Sequence, residues 1–195
     1  MRVSLHQINN GLLALIILCN IYVIAAPFMP TAIFWWQSHN GHRRQTLSAQ
    51  IQHPSPSVKA HQPNHLIVPS MLLDSPVLES PMPSIQHTLN SGVVRLPTGS
   101  TPDKGGNTVI VGHRFSYTAP RGIFYFLNKV HVNDEIGLVW NDKTYAYKVA
   151  SVQQVPPTEI SVEAPTVDAR LTLYTCTPLW LPKERLVIIA ELEKS

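Results

Sequence analysis

The sequence predicts an all-β domain, a barrel or sandwich of about 130 residues, carried behind an N-terminal transmembrane helix. Three observations predict it. Residues 11–36, GLLALIILCNIYVIAAPFMPTAIFWW, contain no charged side chain. From Leu66 onward the chain is a succession of short apolar runs broken by Pro and Gly, the texture of many short strands joined by turns. Within that region Ile136, Leu138 and Trp140 fall on alternate positions, NDK turns the chain, and Tyr145, Tyr147 and Val149 alternate on the return. That is the period-two pattern of a β-hairpin.

The elements follow in order. About 20 apolar residues cross a bilayer as a helix, so the run 11–36 is long enough even with Pro27 and Pro30 inside it. Phe34, Trp35 and Trp36 stand where an interfacial aromatic belt would lie. A cleaved signal peptide is the competing reading. Its apolar core is usually shorter, and a cut after IAA would leave Pro27 on the far side of the scissile bond. The sequence therefore predicts an uncleaved anchor over 11–36 behind a short N-terminus, 1–10. Charge alone gives a weak orientation signal: Arg2 lies before the span and Arg43 and Arg44 after it, which by the positive-inside rule favours a cytoplasmic C-terminal part.

Residues 37–65 are rich in His, Gln, Ser and Pro and show no sustained period. Such a composition buries too little surface to offset ordering entropy, and a flexible tether is expected. The folded domain is expected over 66–195. HLIVPSMLLDSPVLES reads as one or two strands around Pro69, and GVVRLPTG and NTVIVGHR as further strands joined through STPDKGG. IFYFLNKV fits a short helix with Ile123, Phe126, Leu127 and Val130 on one face. YKVASVQQV, RLTLYTC and RLVIIAEL supply the remaining strands.

The net charge of +3 and the lack of a basic block with interleaved aromatics point away from nucleic acid. Of the two cysteines, Cys19 lies in the apolar run, so a bridge to Cys176 within one folded chain is not expected and Cys176 is free. His39 and His42 share a helical spacing but no Cys/His set of zinc type follows, and no metal site is expected. DKGGN lacks the spacing of a phosphate-binding or dinucleotide loop. No cofactor is called for.

Three groups suited to chemistry fall at strand ends. VIVGHR ends a strand in Gly112, His113 and Arg114; LTLYTC ends another in Thr175 and Cys176; KERLVII opens a third with Arg185. Each alone has a bland reading: a small buried hydrophobe for the thiol, a capping residue for the imidazole, a solvated turn charge beside Lys183 and Glu184 for the guanidinium. Together on one rim they form an acyl-transfer set. A thiolate attacks a carbonyl, an imidazole moves protons, and a fixed cation meets the developing oxyanion.

At these residues the chain resembles the sortases, membrane-anchored cysteine transpeptidases, over roughly 66–192. TLYTC is similar to the family's Thr-Leu-any-Thr-Cys strand, TPLWLPKERL supplies its arginine nine residues after the cysteine, and GNTVIVGHR is similar to the element carrying its histidine. IVPSMLLDSPV looks like the opening strand pair. IFYFLNKVHVNDEI looks like the segment that usually ends in Gly-Asp, with Asn133 in place of the glycine, a change a turn accepts because Asn tolerates positive φ. The resemblance implies a closed sortase-type β-barrel of about eight strands with short helices. It implies that Cys176 attacks the Thr–Gly carbonyl of a Leu-Pro-any-Thr-Gly-like sorting signal to give a thioacyl enzyme. His113 would serve as acid and then base, and Arg185 would hold the oxyanion or the substrate backbone. Thr175 and Thr177 would flank the thiol and help bind substrate.

The implied partners are secreted proteins bearing a C-terminal sorting signal, with an amine of a cell-wall peptidoglycan precursor or of a pilin as acceptor. The family's catalytic domain is extracellular on a single-pass anchor in the cell membrane, which outweighs the small charge bias. The subtype is left open between the smaller housekeeping-like and pilus-type groups. No aromatic-bearing lid motif precedes the barrel in HQPNHLIVPS, and Glu163 alone does not make a calcium set. A cysteine hydrolase (a thiol protease) on the same fold and a non-catalytic surface peptide-binding module are the alternatives.

Overall fold

The computed structural model describes residues 5–53, 64–115, 122–179 and 181–193. The chain divides into two compact units, Met1–Gly41 and His42–Ser195. In the first, α1 spans Leu5–Ala25 and α2 spans Met29–His39. The break between them falls at Pro27, which has no N–H for the helix ladder and clashes with the preceding turn. Pro30 sits in the first turn of α2, where that missing donor costs nothing. The apolar run is thus two helices, and the piece long and apolar enough to cross a membrane is α1 alone. Its 21 residues rise about 31 Å, which matches a hydrocarbon core of about 30 Å.

In the second unit eight strands close a barrel among the described residues. They are β1 (His65–Val68), β2 (Leu73–Glu79), β3 (Val93–Arg95), β4 (Asn107–Val111), β5 (Glu135–Trp140), β6 (Lys143–Val155), β7 (Arg170–Thr177) and β8 (Glu184–Leu192). Around the wall the order is β1-β2-β3-β4-β7-β8-β6-β5. The β2–β3 and β4–β7 pairs are parallel and the others antiparallel. Of the two architectures left open by the residue pattern, the barrel is the one formed.

Alternation fills it. Leu66 and Val68, Ile136 and Leu138, Leu171 and Leu173, and Ile188 and Ala190 point inward and are fully buried in one cluster. A second apolar layer on the outside of β3 and β4 joins Val94, Val109 and Val111 to Ile85 and Leu89 of a short helical segment. The predicted hairpin is present: β5 and β6 pair Trp140 with Lys143 across Asn141 and Asp142. Both turn residues have positive φ, 49° and 62°, as a two-residue primed turn requires. Asn133 also takes positive φ, 74°, as its place in the Gly-Asp-like turn anticipates.

Two expectations give way. IFYFLNKV is not an amphipathic helix: among its residues only Leu127–Lys129 form a helical turn, of 3-10 type. Phe124 rather than Ile123 or Phe126 is fully buried, because its ring lies against the bare backbone of Gly112, where an added Cβ would come within 2.8 Å. The stretch 37–65, expected as a tether, contains α3 over His42–Gln52. Leu47 and Ile51, one helical turn apart, are buried against Ile67, Val139 and Ala146. An 11-residue helix is marginal alone. Burial of two such side chains contributes about 1.5–3 kcal/mol each, and Arg44 reaches Asp134 at 3.7 Å.

Candidate active site

The site is built where β4, β7 and β8 lie side by side. β7 carries Thr172, Tyr174 and Cys176 on its outer face, while Leu171 and Leu173 face the core. Cys176 is exposed and free, on a strand otherwise mostly buried. A cysteine kept as a packing hydrophobe would sit among the inward residues; this one does not.

The pairing of β8 sets Cys176 directly opposite Arg185. On the other side, the parallel register of β4 on β7 sets Val109 beside Thr172 and Val111 beside Tyr174. β4 ends at Val111, and the chain leaves it through Gly112 to His113. The continuation past the end of β4 is held by two hydrogen bonds: the Gly112 N–H donates to the Tyr174 carbonyl at 3.4 Å, and the Thr175 hydroxyl donates to the Gly112 carbonyl at 2.7 Å. The Phe124 N–H then donates to the His113 carbonyl at 3.0 Å. His113 is therefore fixed by its backbone on both sides. Its side chain is partly exposed, and burial holds the imidazole below its ordinary pKa of 6.5, which favours the neutral form at neutral pH.

Thr175 and Thr177 are on the opposite face from Cys176. Both are buried, the first bonded to Gly112 and the second accepting from Arg114 Nη1 at 2.6 Å. Arg185 is held from its own side. Its Nη1 donates to Glu163 Oε1 at 3.1 Å and its guanidinium lies 4.8 Å from the centre of the Tyr174 ring. The Tyr174 hydroxyl donates to the same Oε1 at 2.7 Å, and burial together with that bond raises the phenol above its ordinary value.

Glu163 stands at the end of a 3-10 turn, Ile160–Glu163, in the connection between β6 and β7. Asn107 of β4 ties that turn down. Its Nδ2 donates to the carbonyls of Val162 and Ala164, each at 3.0 Å, and its Oδ1 accepts from the Thr172 hydroxyl at 2.7 Å. A polar cleft of about 420 Å³ lies against the same turn, between Lys104–Gly106 and Glu163–Val167. Sequence reasoning gave Tyr174 and Asn107 no role and weighed Glu163 only as a metal ligand. Tyr174 occupies the variable position of TLYTC, and the Glu163–Arg185 contact spans 22 residues, so no local spacing announces it. Among the described residues no three His, Cys, Asp or Glu side chains gather as a metal set.

Comparison with known proteins identifies the family of this fold. The family model for the sortase domain matches residues 66–193. Sortase SrtE1 of Streptomyces coelicolor is 32% identical over 102 residues, which is 48% of this chain and 28% of the relative. Sortase A of Listeria monocytogenes is 34% identical over 90 residues, 46% of this chain and 40% of that protein. The chain thus spans less than half the length of these two curated relatives. Among solved structures, Listeria monocytogenes sortase A superposes with a TM-score of 0.58 at 28% identity, covering 67% of this chain and 86% of that one. Sortase C2 of Group B Streptococcus Pilus Island 1 gives 0.60 at 29%, covering 69% and 76%. Proteins named sortase A and sortase C are matched to the same degree.

Proposed function

The chain belongs to the sortase family, and from that premise we infer that it is a transpeptidase that cuts a sorting signal through a thioacyl enzyme on Cys176 and passes the acyl group to an amine. The observation that carries this reading is the cross-strand pairing of an exposed Cys176 with Arg185, beside the strand that leads into His113. The neutral imidazole of His113 takes the thiol proton as Sγ attacks the Thr–Gly carbonyl of a Leu-Pro-any-Thr-Gly-like signal. The C–S bond forms, negative charge moves to the carbonyl oxygen, and Arg185 donates to it. Collapse breaks the C–N bond, and His113 returns its proton to the leaving amine. In the second half His113 takes a proton from the incoming amine, the new C–N bond forms, the C–S bond breaks, and His113 passes that proton to the departing thiolate to restore the thiol.

Thr175 and Thr177 serve the framework in this reading, with Thr175 fastening Gly112, and hence His113, to β7. The substrates are proteins with a C-terminal sorting signal, and the acceptor is an amine of a peptidoglycan precursor or of a pilin. The N-terminal helix fit to cross a membrane, α1, is the anchor, with the barrel on the extracellular side.

The test uses the full chain in detergent with a sorting-signal peptide, with and without an added primary amine. An amide product that depends on the amine and disappears in Cys176→Ala and His113→Ala is expected. Release of the free acid alone at every amine concentration would instead make the protein a hydrolase. Undiminished function in Cys176→Ala would make it a binding module.

A further inference from the structure

Arg185 is a flexible side chain at the mouth of the barrel, and three contacts determine where its guanidinium lies. Glu163 takes Nη1, the Tyr174 ring covers one face, and the Tyr174 hydroxyl is bonded to the same carboxylate oxygen. Glu163 belongs to no strand, so its own placement needs a cause. Asn107 supplies it by gripping the carbonyls on either side, Val162 and Ala164, from a position that is 1% exposed. Thr172, fully buried, holds the Asn107 amide in that orientation. A continuous polar chain therefore runs Thr172–Asn107–(Val162, Ala164)–Glu163–Arg185, from the barrel wall to the cation opposite the thiol.

We propose that Glu163 is the positioning residue for Arg185: by occupying one N–H of the guanidinium, with Tyr174 beneath it, the carboxylate aims the remaining donors at the carbonyl oxygen that becomes negative during attack by Cys176. A guanidinium has five N–H donors in a rigid fork, so the ion pair leaves donors for the substrate. The arrangement also explains why a buried asparagine is committed to two carbonyls of a connecting segment, since any slack at Val162 or Ala164 would move the carboxylate and with it the fork. Displacement of a group by about 1 Å can lower a rate by about 100-fold. The inference rests on the proposed roles of Cys176, His113 and Arg185, and it deepens them by placing control of the arginine in the connection between β6 and β7.

The test is a double-mutant cycle read by intact mass spectrometry of the full chain in detergent, following thioacylation by a sorting-signal peptide. Glu163→Ala should slow acylation by about 10- to 100-fold with KM for the peptide changed by less than about threefold. Glu163→Gln, whose carbonyl oxygen still accepts from Tyr174 and Arg185, should recover the greater part. On an Arg185→Lys background Glu163→Ala should cost less than about threefold further, because its effect passes through the fork. Equal losses in both backgrounds, no loss in the parent, or a faster rate in Glu163→Ala would each overturn the proposal; the last would make the pair a brake. A second measurement stands apart from turnover. The Arg185 Nη–H resonances in a ¹⁵N-labelled sample should be sharp and protected in the parent and broadened in Glu163→Ala, and an unchanged signal would also overturn it. A folded parent with an ordered Arg185 but no acylation by such peptides would instead refute the functional reading beneath it.

Discussion

Cys176 is exposed while Leu173 and Thr175 beside it are buried, and Arg185 across the ladder leans on Glu163 and Tyr174. Those contacts need a planar fork, which an ammonium cannot reproduce. Arg185→Lys should therefore lose about 100-fold or more in kcat/KM for a sorting-signal peptide, and a loss below about threefold would remove the arginine from the transition state. His113 gives a different kind of prediction. Burial lowers its pKa below 6.5, so as pH falls the unfolded chain takes up this proton before the folded chain does. Stability from this group is complete above pH 6.5 and declines as pH drops from there through the folded value. Thermal melts should show a steeper loss of Tm below pH 6.5 in the parent than in His113→Asn, and parallel profiles would contradict the assignment.

Among the elements, α3 makes the clearest demand on a single position. Gly137 of β5 lies under Ile51, where an added Cβ would stand 2.5 Å from Ile51 Cγ1. Gly137→Ala should destabilise the folded unit by about 1–3 kcal/mol through overpacking, measured by denaturant unfolding, and Ile51→Ala in the same chain should relieve the clash. An unchanged midpoint would mean that α3 does not hold that seat. This helix also shows where sequence reading stops. The hairpin over β5 and β6 was legible because Ile136, Leu138 and Trp140 alternate and two turn-forming residues follow. In α3 only Leu47 and Ile51 mark a face, and what they pack on, Ile67 and Val139, comes from two separate strands, the second of them far along the chain. IFYFLNKV misled for a related reason, since the position of Phe124 is set by the open backbone at Gly112 rather than by its own period.

At the scale of the whole molecule, the barrel order brings together strands that the sequence keeps apart. β4 becomes the neighbour of the β7–β8 pair, and the proposed set His113, Cys176 and Arg185 is open to sequence reasoning because each falls at a strand end. Glu163, Tyr174 and Asn107 are not, because their partnership exists only once the connection between β6 and β7 is laid against β4. Topology is decided at this scale too. With α1 as the anchor and the barrel outside, a protease added to intact spheroplasts should digest the chain beyond α2, and complete protection of residues 42–195 would reverse the proposed orientation.

The most direct measurement of the central claim is the intact mass of the full chain after incubation with a Leu-Pro-any-Thr-Gly peptide without an amine acceptor. The account predicts a mass increase equal to the peptide through its threonine less one water, mapped to Cys176, cleaved by hydroxylamine and absent from Cys176→Ala. A folded parent chain that shows no such adduct with any sorting-signal peptide, or one that carries it in Cys176→Ala as well, would contradict the account.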